Sequence, residues 1–169
     1  LVIADAAKWI WTSVVSEHFS ASRQAVDWYH ATEHLHTVAH LIHGEGTAEA
    51  QRWVKAMEHP LYQGHTWQVR QAIQDLAQAN PPLADKLQTE AGYFENNQRR
   101  MQYLELREDG FPIGSGMVES GCKQLRARFT GAGMRWSRPG AENLIPIRTA
   151  LLSDRFDEMW KAVYKSPPN

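Results

Sequence analysis

The sequence predicts an α/β chain that is predominantly helical, with short parallel strands confined to its N-terminus. Two observations carry that expectation. A strand–helix–strand pattern occupies the first 28 residues, and amphipathic helical spacing punctuated by Gly and Pro fills nearly everything after it. The run Leu1-Val2-Ile3-Ala4 reads as a short buried strand ending at Asp5. Residues 6–19 read as a helix with Trp9 and Val14 on its inward face, and residues 23–28 as a second strand ending near Asp27. A strand, a helix and a strand in that order imply a parallel pair joined by a right-handed crossover. Asp5 and Asp27 then fall at the carboxyl ends of adjacent strands, where open α/β sheets place ligands.

From His30 the spacing is helical. Ala31, Leu35, Val38 and Ile42 make an apolar stripe over residues 30–43 that Gly44 and Gly46 end. Further helices are predicted over residues 47–57, 66–78 and, after Pro81-Pro82, 83–106. Asp109-Gly110 and Pro112 break the chain before the Gly114-Ser115-Gly116 turn. Helices over 115–129, 139–152 and 154–164 follow, Pro146 being expected to kink or split the second of these, and 165–169 reads as a frayed tail. Three segments result: 1–43 with the strands, 44–107 all helical, and 108–169 with the Gly-Ser-Gly turn and a basic stretch. No internal repeat or low-complexity tract is visible.

At 169 residues the chain can bury a substantial core, and its formal charge of −1 names no partner. The distribution of charge is more informative, because all eight histidines precede Thr66 while a basic cluster occupies the last third. Seven tryptophans fit a chain rich in helix–helix packing. A single cysteine, Cys122, excludes an intrachain disulfide and fits a reducing, cytoplasmic setting. No apolar run has the length of a membrane span, and no signal peptide is visible. A chain that opens on a strand buried on both faces needs neighbours on both edges. With few partner strands downstream, the expectation is the C-terminal portion of a longer protein.

Glu119 stands at the start of a predicted helix, and the stretch from there to Ala141 holds Lys123, Arg126, Arg128, Arg135 and Arg138 with no further acid. Val118, Cys122, Leu125 and Phe129 read as that helix's buried stripe, with Glu119, Lys123 and Arg126 beside it. Structural roles are open to both candidate acids. Glu119 suits the helix macrodipole and an i,i+4 pair with Lys123, and Asp5 suits an N-cap. A strand-end Asp with a distant helical Glu is also an arrangement that holds Mg²⁺ for phosphoryl transfer, since Mg²⁺ takes hard oxygen ligands and completes its shell with phosphate and water.

Four runs carry a resemblance that covers nearly the whole chain. They are Val2-Ile3-Ala4-Asp5-Ala6-Ala7-Lys8-Trp9-Ile10-Trp11, then Asp27-Trp28-Tyr29-His30-Ala31-Thr32-Glu33-His34-Leu35, then Gly114-Ser115-Gly116-Met117-Val118-Glu119, and Gly131-Ala132-Gly133-Met134-Arg135-Trp136-Ser137. In order and approximate spacing they resemble the DDE transposases of bacterial insertion sequences, of the Kra type related to Mutator-like transposases. The resemblance implies a partial ribonuclease-H-like core in 1–43, a helical insertion in 44–107, and the catalytic-Glu helix, basic segment and closing helices in 108–169. It implies Asp5 as the second catalytic aspartate and Glu119 as the catalytic glutamate, both ligands of Mg²⁺ (or Mn²⁺), with two ions in the intact enzyme. Asp27 and His30 match an Asp-x-x-His signature that supports the site, His30 bonding Asp27 or a phosphate oxygen. A competing assignment makes Asp5 the first aspartate and Asp27 the second. Where the group carries Gly after the strand-end Asp this chain has Ala6, and the first aspartate with its strands is absent from these residues.

The implied activity is metal-dependent DNA strand cleavage and strand transfer, the fragment alone being inactive. The implied partners are transposon-end and target DNA and a second copy of the intact protein, with no membrane, in the bacterial cytoplasm at the nucleoid. Lys123, Arg126, Arg128, Arg135 and Arg138 would neutralise backbone phosphates, and Trp136 would either stack on a base or sit in the core. Two other readings compete. One is a non-catalytic nucleic-acid-binding or assembly module left from a decayed element. The other is a metal-binding helix built on Glu33, His36, His40 and His43, which share one face at spacings of three, four and three.

Overall fold

The computed structural model describes residues 1–164, so the predicted tail, 165–169, lies outside the described residues. The chain divides into two compact units, the first ending at Ser115 and the second beginning at Gly116.

In the first unit β1 (Val2–Ala4) and β2 (Gln24–Val26) pair in parallel, with Ile3 opposite Ala25. These are the two strands found among the described residues, so the chain is helical with short parallel N-terminal strands. The expectation of a fully buried first strand fails: β1 is half-buried throughout, while Ala25 and Val26 of β2 are sealed. The crossover also departs from the predicted regular helix. It contains a π-helical segment, Ile10–Val15, that tightens into α1 (Ser16–His18). The hydroxyls of Thr12 and Ser16 donate to the carbonyls of Lys8 and Thr12, at 3.0 and 2.6 Å, and so compete with the backbone for acceptors in a β-branched run.

Asp27 caps α2 (Trp28–His43), whose Ala31, Leu35 and Val38 are buried as the stripe predicts. Gly44 ends it with a φ of 86°, a conformation that a side chain would strain. Thr47 caps α3 (Ala48–Tyr62), which runs past the predicted end and through Pro60 in its final turns. α4 (Thr66–Ala79) and α5 (Ala84–Asn97) form a hairpin over the 3₁₀ turn Pro81–Leu83. The single helix predicted over 83–106 is in fact broken. A 3₁₀ turn at Gln98–Arg100 separates α5 from α6 (Tyr103–Glu108). The buried Asn97 amide donates to the Tyr93 carbonyl, and the turn lets Tyr103 pack edge-on to Trp28 at 4.9 Å. One core joins strand and helices, with Trp11 and Val26 in the same cluster as Leu35, Ile73, Leu87 and Phe94. Segment 109–115 is tied to this unit: Arg23 pairs with Glu105 and Asp109, and the Trp28 N–H donates to the Ile113 carbonyl.

The second unit holds α7 (Gly116–Ala127), α8 (Arg138–Leu152) and α9 (Phe156–Tyr164). The stripe predicted to be buried on α7 is mostly open. Val118 is 67% exposed, Cys122 is exposed, and Leu125 and Phe129 are half-buried. Three short helices have too little surface to enclose it, and it borders a shallow groove against Thr149 and Leu152 instead. α8 continues through Pro146 without splitting, its start capped by the Ser137 hydroxyl accepting from the Gly140 N–H. No helix among the described residues is long and apolar enough to cross a membrane.

Candidate functional site at the carboxyl ends of the paired strands

Parallel pairing brings Asp5 and Asp27 out at the same end of the two strands, one residue beyond each, because Ala4 and Val26 are opposite partners. The two carboxylates then diverge in environment. Asp5 is exposed, and its Oδ1 accepts from the Ala7 N–H at 2.9 Å, a local turn that leaves the side chain at the surface. Asp27 is 1% exposed. Its Oδ1 accepts from the Tyr29 N–H at 2.7 Å and the His30 N–H at 3.3 Å, which is helix capping. Its Oδ2 accepts from the Ser115 N–H, 88 residues away in the chain, and the Ser115 side chain also bonds this carboxylate.

Burial pushes the Asp27 carboxyl up, but the Ser115 side chain and N–H, followed by the His30 and Tyr29 N–H groups, outweigh it and hold the group below the usual carboxylate range. With its oxygens engaged by four protein donors, Asp27 anchors the strand end to the Gly114-Ser115 turn. Gly114 is fitted to that junction: a Cβ there would meet the Tyr29 ring at 3.0 Å. Two of the runs noted in the sequence, Asp27 to Leu35 and Gly114 to Glu119, thus meet at one hydrogen-bonded contact.

His30 does not bond Asp27 through its ring, which corrects one of the two roles expected for it. Its Nδ1 lies 3.0 Å from Glu33 Oε2, and only its backbone N–H reaches Asp27. One turn on, His34 Nδ1 lies 2.6 Å from Glu90 Oε2 and its ring stacks on Tyr93 at 3.5 Å between centroids. The Tyr93 hydroxyl is pushed well above its ordinary value, by burial first and then by Asp5, Glu90, Asp27 and Glu33. Tyr93, His34 and Glu90 have no signal in the sequence that would join them, because 56 residues separate the His34–Glu90 pair.

Glu119 is exposed in the first turn of α7 in the second unit. The six residues expected to meet DNA are all exposed in that unit as well. Lys123 and Arg126 lie on α7, Arg128 in the turn after it, Arg135 and Trp136 in the loop, and Arg138 opens α8, where its Nε donates to Glu142 Oε1 at 2.8 Å. Trp136 is no core residue. The residue is 40% exposed, and its ring is held by Nε1–H donating to the Phe129 carbonyl at 3.2 Å.

Glu33, His36 and His40 are exposed and His43 is half-exposed, with the His36 and His40 rings 5.9 Å apart. Among the described residues no three His, Cys, Asp or Glu side chains are grouped to hold a metal ion. A Mg²⁺ ion does not require such a cage, since one or two carboxylates with phosphate and water suffice. Exposed Asp5 has the hard-oxygen chemistry for it, whereas Asp27 is committed to its donors; Glu119, also a carboxylate, belongs to the second unit. No family model matches the chain, and neither a curated protein nor a solved structure matches it.

Proposed function

We propose that the chain is the C-terminal catalytic part of a DDE transposase, contributing Asp5 and Glu119 to a three-carboxylate site for DNA strand cleavage and strand transfer. On this reading the strands and Asp27 belong to a ribonuclease-H-like core, 44–107 is its insertion, and the remaining aspartate is supplied from outside these residues. The observation that carries the proposal is the Asp27–Ser115 contact. It joins two of the four runs on which the resemblance rests, leaving Asp5 exposed and available at the adjacent strand end. A bound Mg²⁺ pair would supply Lewis-acid activation and charge neutralisation at the scissile phosphate. The chain's own residues do the rest. Asp5 and Glu119 present hard oxygens, Asp27 holds the turn, and the exposed arginines and Lys123 neutralise flanking phosphates.

The test uses the longer polypeptide that carries the third acid, with a labelled duplex and Mg²⁺. Removing a ligand that supports roughly 4 kcal/mol of transition-state stabilisation costs about 10³-fold in rate. Asp5→Asn and Glu119→Gln should each show a loss of that order, with unfolding midpoints close to the parent. Retained cleavage in either variant sinks the assignment of that residue. The isolated chain should cleave nothing at any Mg²⁺ concentration.

A further inference from the structure

Two adjoining cavities, the larger mostly polar and the smaller mostly apolar in its lining, open on the first unit beside the site. The smaller, about 450 Å³, is lined by Ala6, Lys8, Trp11, Tyr93, Asn96 and Arg100 among others. The larger, about 680 Å³, shares Asn96 and Arg100 and adds Ser22, Gln24 and Arg99. We propose that this double cleft is a phosphate-binding site that takes the backbone of a nucleic-acid strand, with Lys8, Arg99 and Arg100 as its cations.

Their position in the cavity walls, rather than charge pairing alone, sets these three apart, since Lys55, Lys86 and Arg107 of the same unit also make no ion pair among the described residues. Arg23, Arg52 and Arg70 of the same unit are each paired to carboxylates. Lys8, Arg99 and Arg100 have no carboxylate partner among the described residues. The acid that lines the larger cavity, Glu95, is already bonded to Arg70. Arg100 is half-buried, and its partners are neutral. Its Nε donates to Gln24 Oε1 at 2.9 Å, its Nη1 to Asn97 Oδ1 at 3.4 Å, and its guanidinium lies 4.5 Å over the Trp11 ring. A cation removed from water with only neutral partners is costly, and a phosphate oxygen is the counter-ion that planar guanidinium geometry favours.

The rest of the lining is donor-rich and prearranged. Asn96 adds an amide, and Trp11 Nε1 and Tyr93 Oη are buried with no hydrogen-bond partner in the protein. Trp11 is only 6% exposed and sits in the π-helical segment, so its ring is a fixed wall under Arg100. The position also suits a strand rather than an isolated ion. Ala6, which lines the smaller cavity, follows Asp5 directly, and Tyr93 belongs both to the cavity wall and to the field of Asp5. A backbone in the cleft would pass the strand end that carries the exposed carboxylate. The inference therefore deepens the transposase reading and rests on it for the identity of the strand.

Fluorescence anisotropy of a short labelled single-stranded oligonucleotide, in metal-free buffer over a range of salt, tests it on the full chain. Each lost phosphate contact lowers the slope of log K against log salt by about 0.7, so Lys8→Gln/Arg99→Gln should lower it by about 1.4 with a severalfold weaker affinity. Both residues are exposed, so this variant keeps its fold, whereas Arg100→Gln removes the Gln24 bond and is read only with a matching circular dichroism spectrum. Arg52→Gln, a paired arginine elsewhere, should change nothing. An affinity and slope equal to the parent's in the double variant overturn the proposal, as does a parent chain that binds neither oligonucleotide nor phosphate. Inorganic phosphate gives the second arm: if it raises the parent's melting temperature but not the double variant's, while oligonucleotide binding is unaffected, the site is for free phosphate and the strand assignment falls. The catalytic assignment is read from cleavage by Asp5→Asn and Glu119→Gln in the longer polypeptide and the cleft from metal-free binding by Lys8→Gln/Arg99→Gln, so failure of the one and failure of the other give separate results.

Discussion

Replacing Asp27 tests how the first unit holds its strand end to the Gly114-Ser115 turn. Asp27→Ala removes an N-cap that accepts from the Tyr29 and His30 N–H groups, a loss of roughly 1 kcal/mol. It also strands the part-buried Ser115 N–H, which costs roughly 1–3 kcal/mol more. The expected total is about 2–4 kcal/mol, a large part of the 5–15 kcal/mol that a typical domain has. Asp27→Asn keeps an oxygen for the cap but turns an amide toward Ser115, so its loss should be roughly half of that. Urea unfolding followed by far-ultraviolet circular dichroism measures both, the midpoint moving while the slope stays constant. The pH dependence supplies a second, independent check. The folded carboxyl is held below its unfolded value of about 3.9, so its contribution is complete above that value and is lost as pH falls through the folded one. The gap between parent and Asp27→Asn should therefore be constant from pH 5 to 7 and close below about pH 4. An Asp27→Ala loss under about 1 kcal/mol, or a gap that persists unchanged to the lowest pH, would refute the anchoring role.

Two further outcomes follow from the packing and from the histidine row. Leu35→Ala, at a fully buried position in α2, should cost about 2–5 kcal/mol, whereas Val118→Ala, 67% exposed on α7, should stay within about 0.5 kcal/mol. Equal losses in urea titrations would mean that α7 buries its stripe after all. Calorimetric titration with Zn²⁺ should give the same weak heats for the parent and for His36→Ala/His40→Ala, and a clear site lost only in the double variant would restore the metal-helix reading.

The limits of the sequence are visible at particular residues. Although its capping of α2, a role the sequence suggested for Asp5 instead, was not legible, Asp27 was legible as a strand-end residue because the strand pattern is local. The α2 stripe was legible for the same reason, since positions three and four apart share one face whatever surrounds them. The stripe on α7 used identical reasoning and failed, because spacing predicts which residues share a face and not whether anything covers it. The broken helix after Asn97 failed differently. Its spacing continues, but the buried Asn97 amide and the packing of Tyr103 on Trp28 outweigh propensity there.

By itself, then, the sequence determined much of the local structure of this protein: two short strands ending in aspartates, the position of most helices though not all of their boundaries, and the order of the runs that resemble a transposase. Only the tertiary structure decided which of those aspartates is committed and which is exposed. The Ser115 N–H that engages Asp27 lies 88 residues away, and Arg100 reaches Gln24 across 76. Contacts at that separation leave no periodic trace in a single chain. They arise when helices from distant segments share one core with the strands, and the cost of burying a carboxylate or a guanidinium then selects the partners it must have.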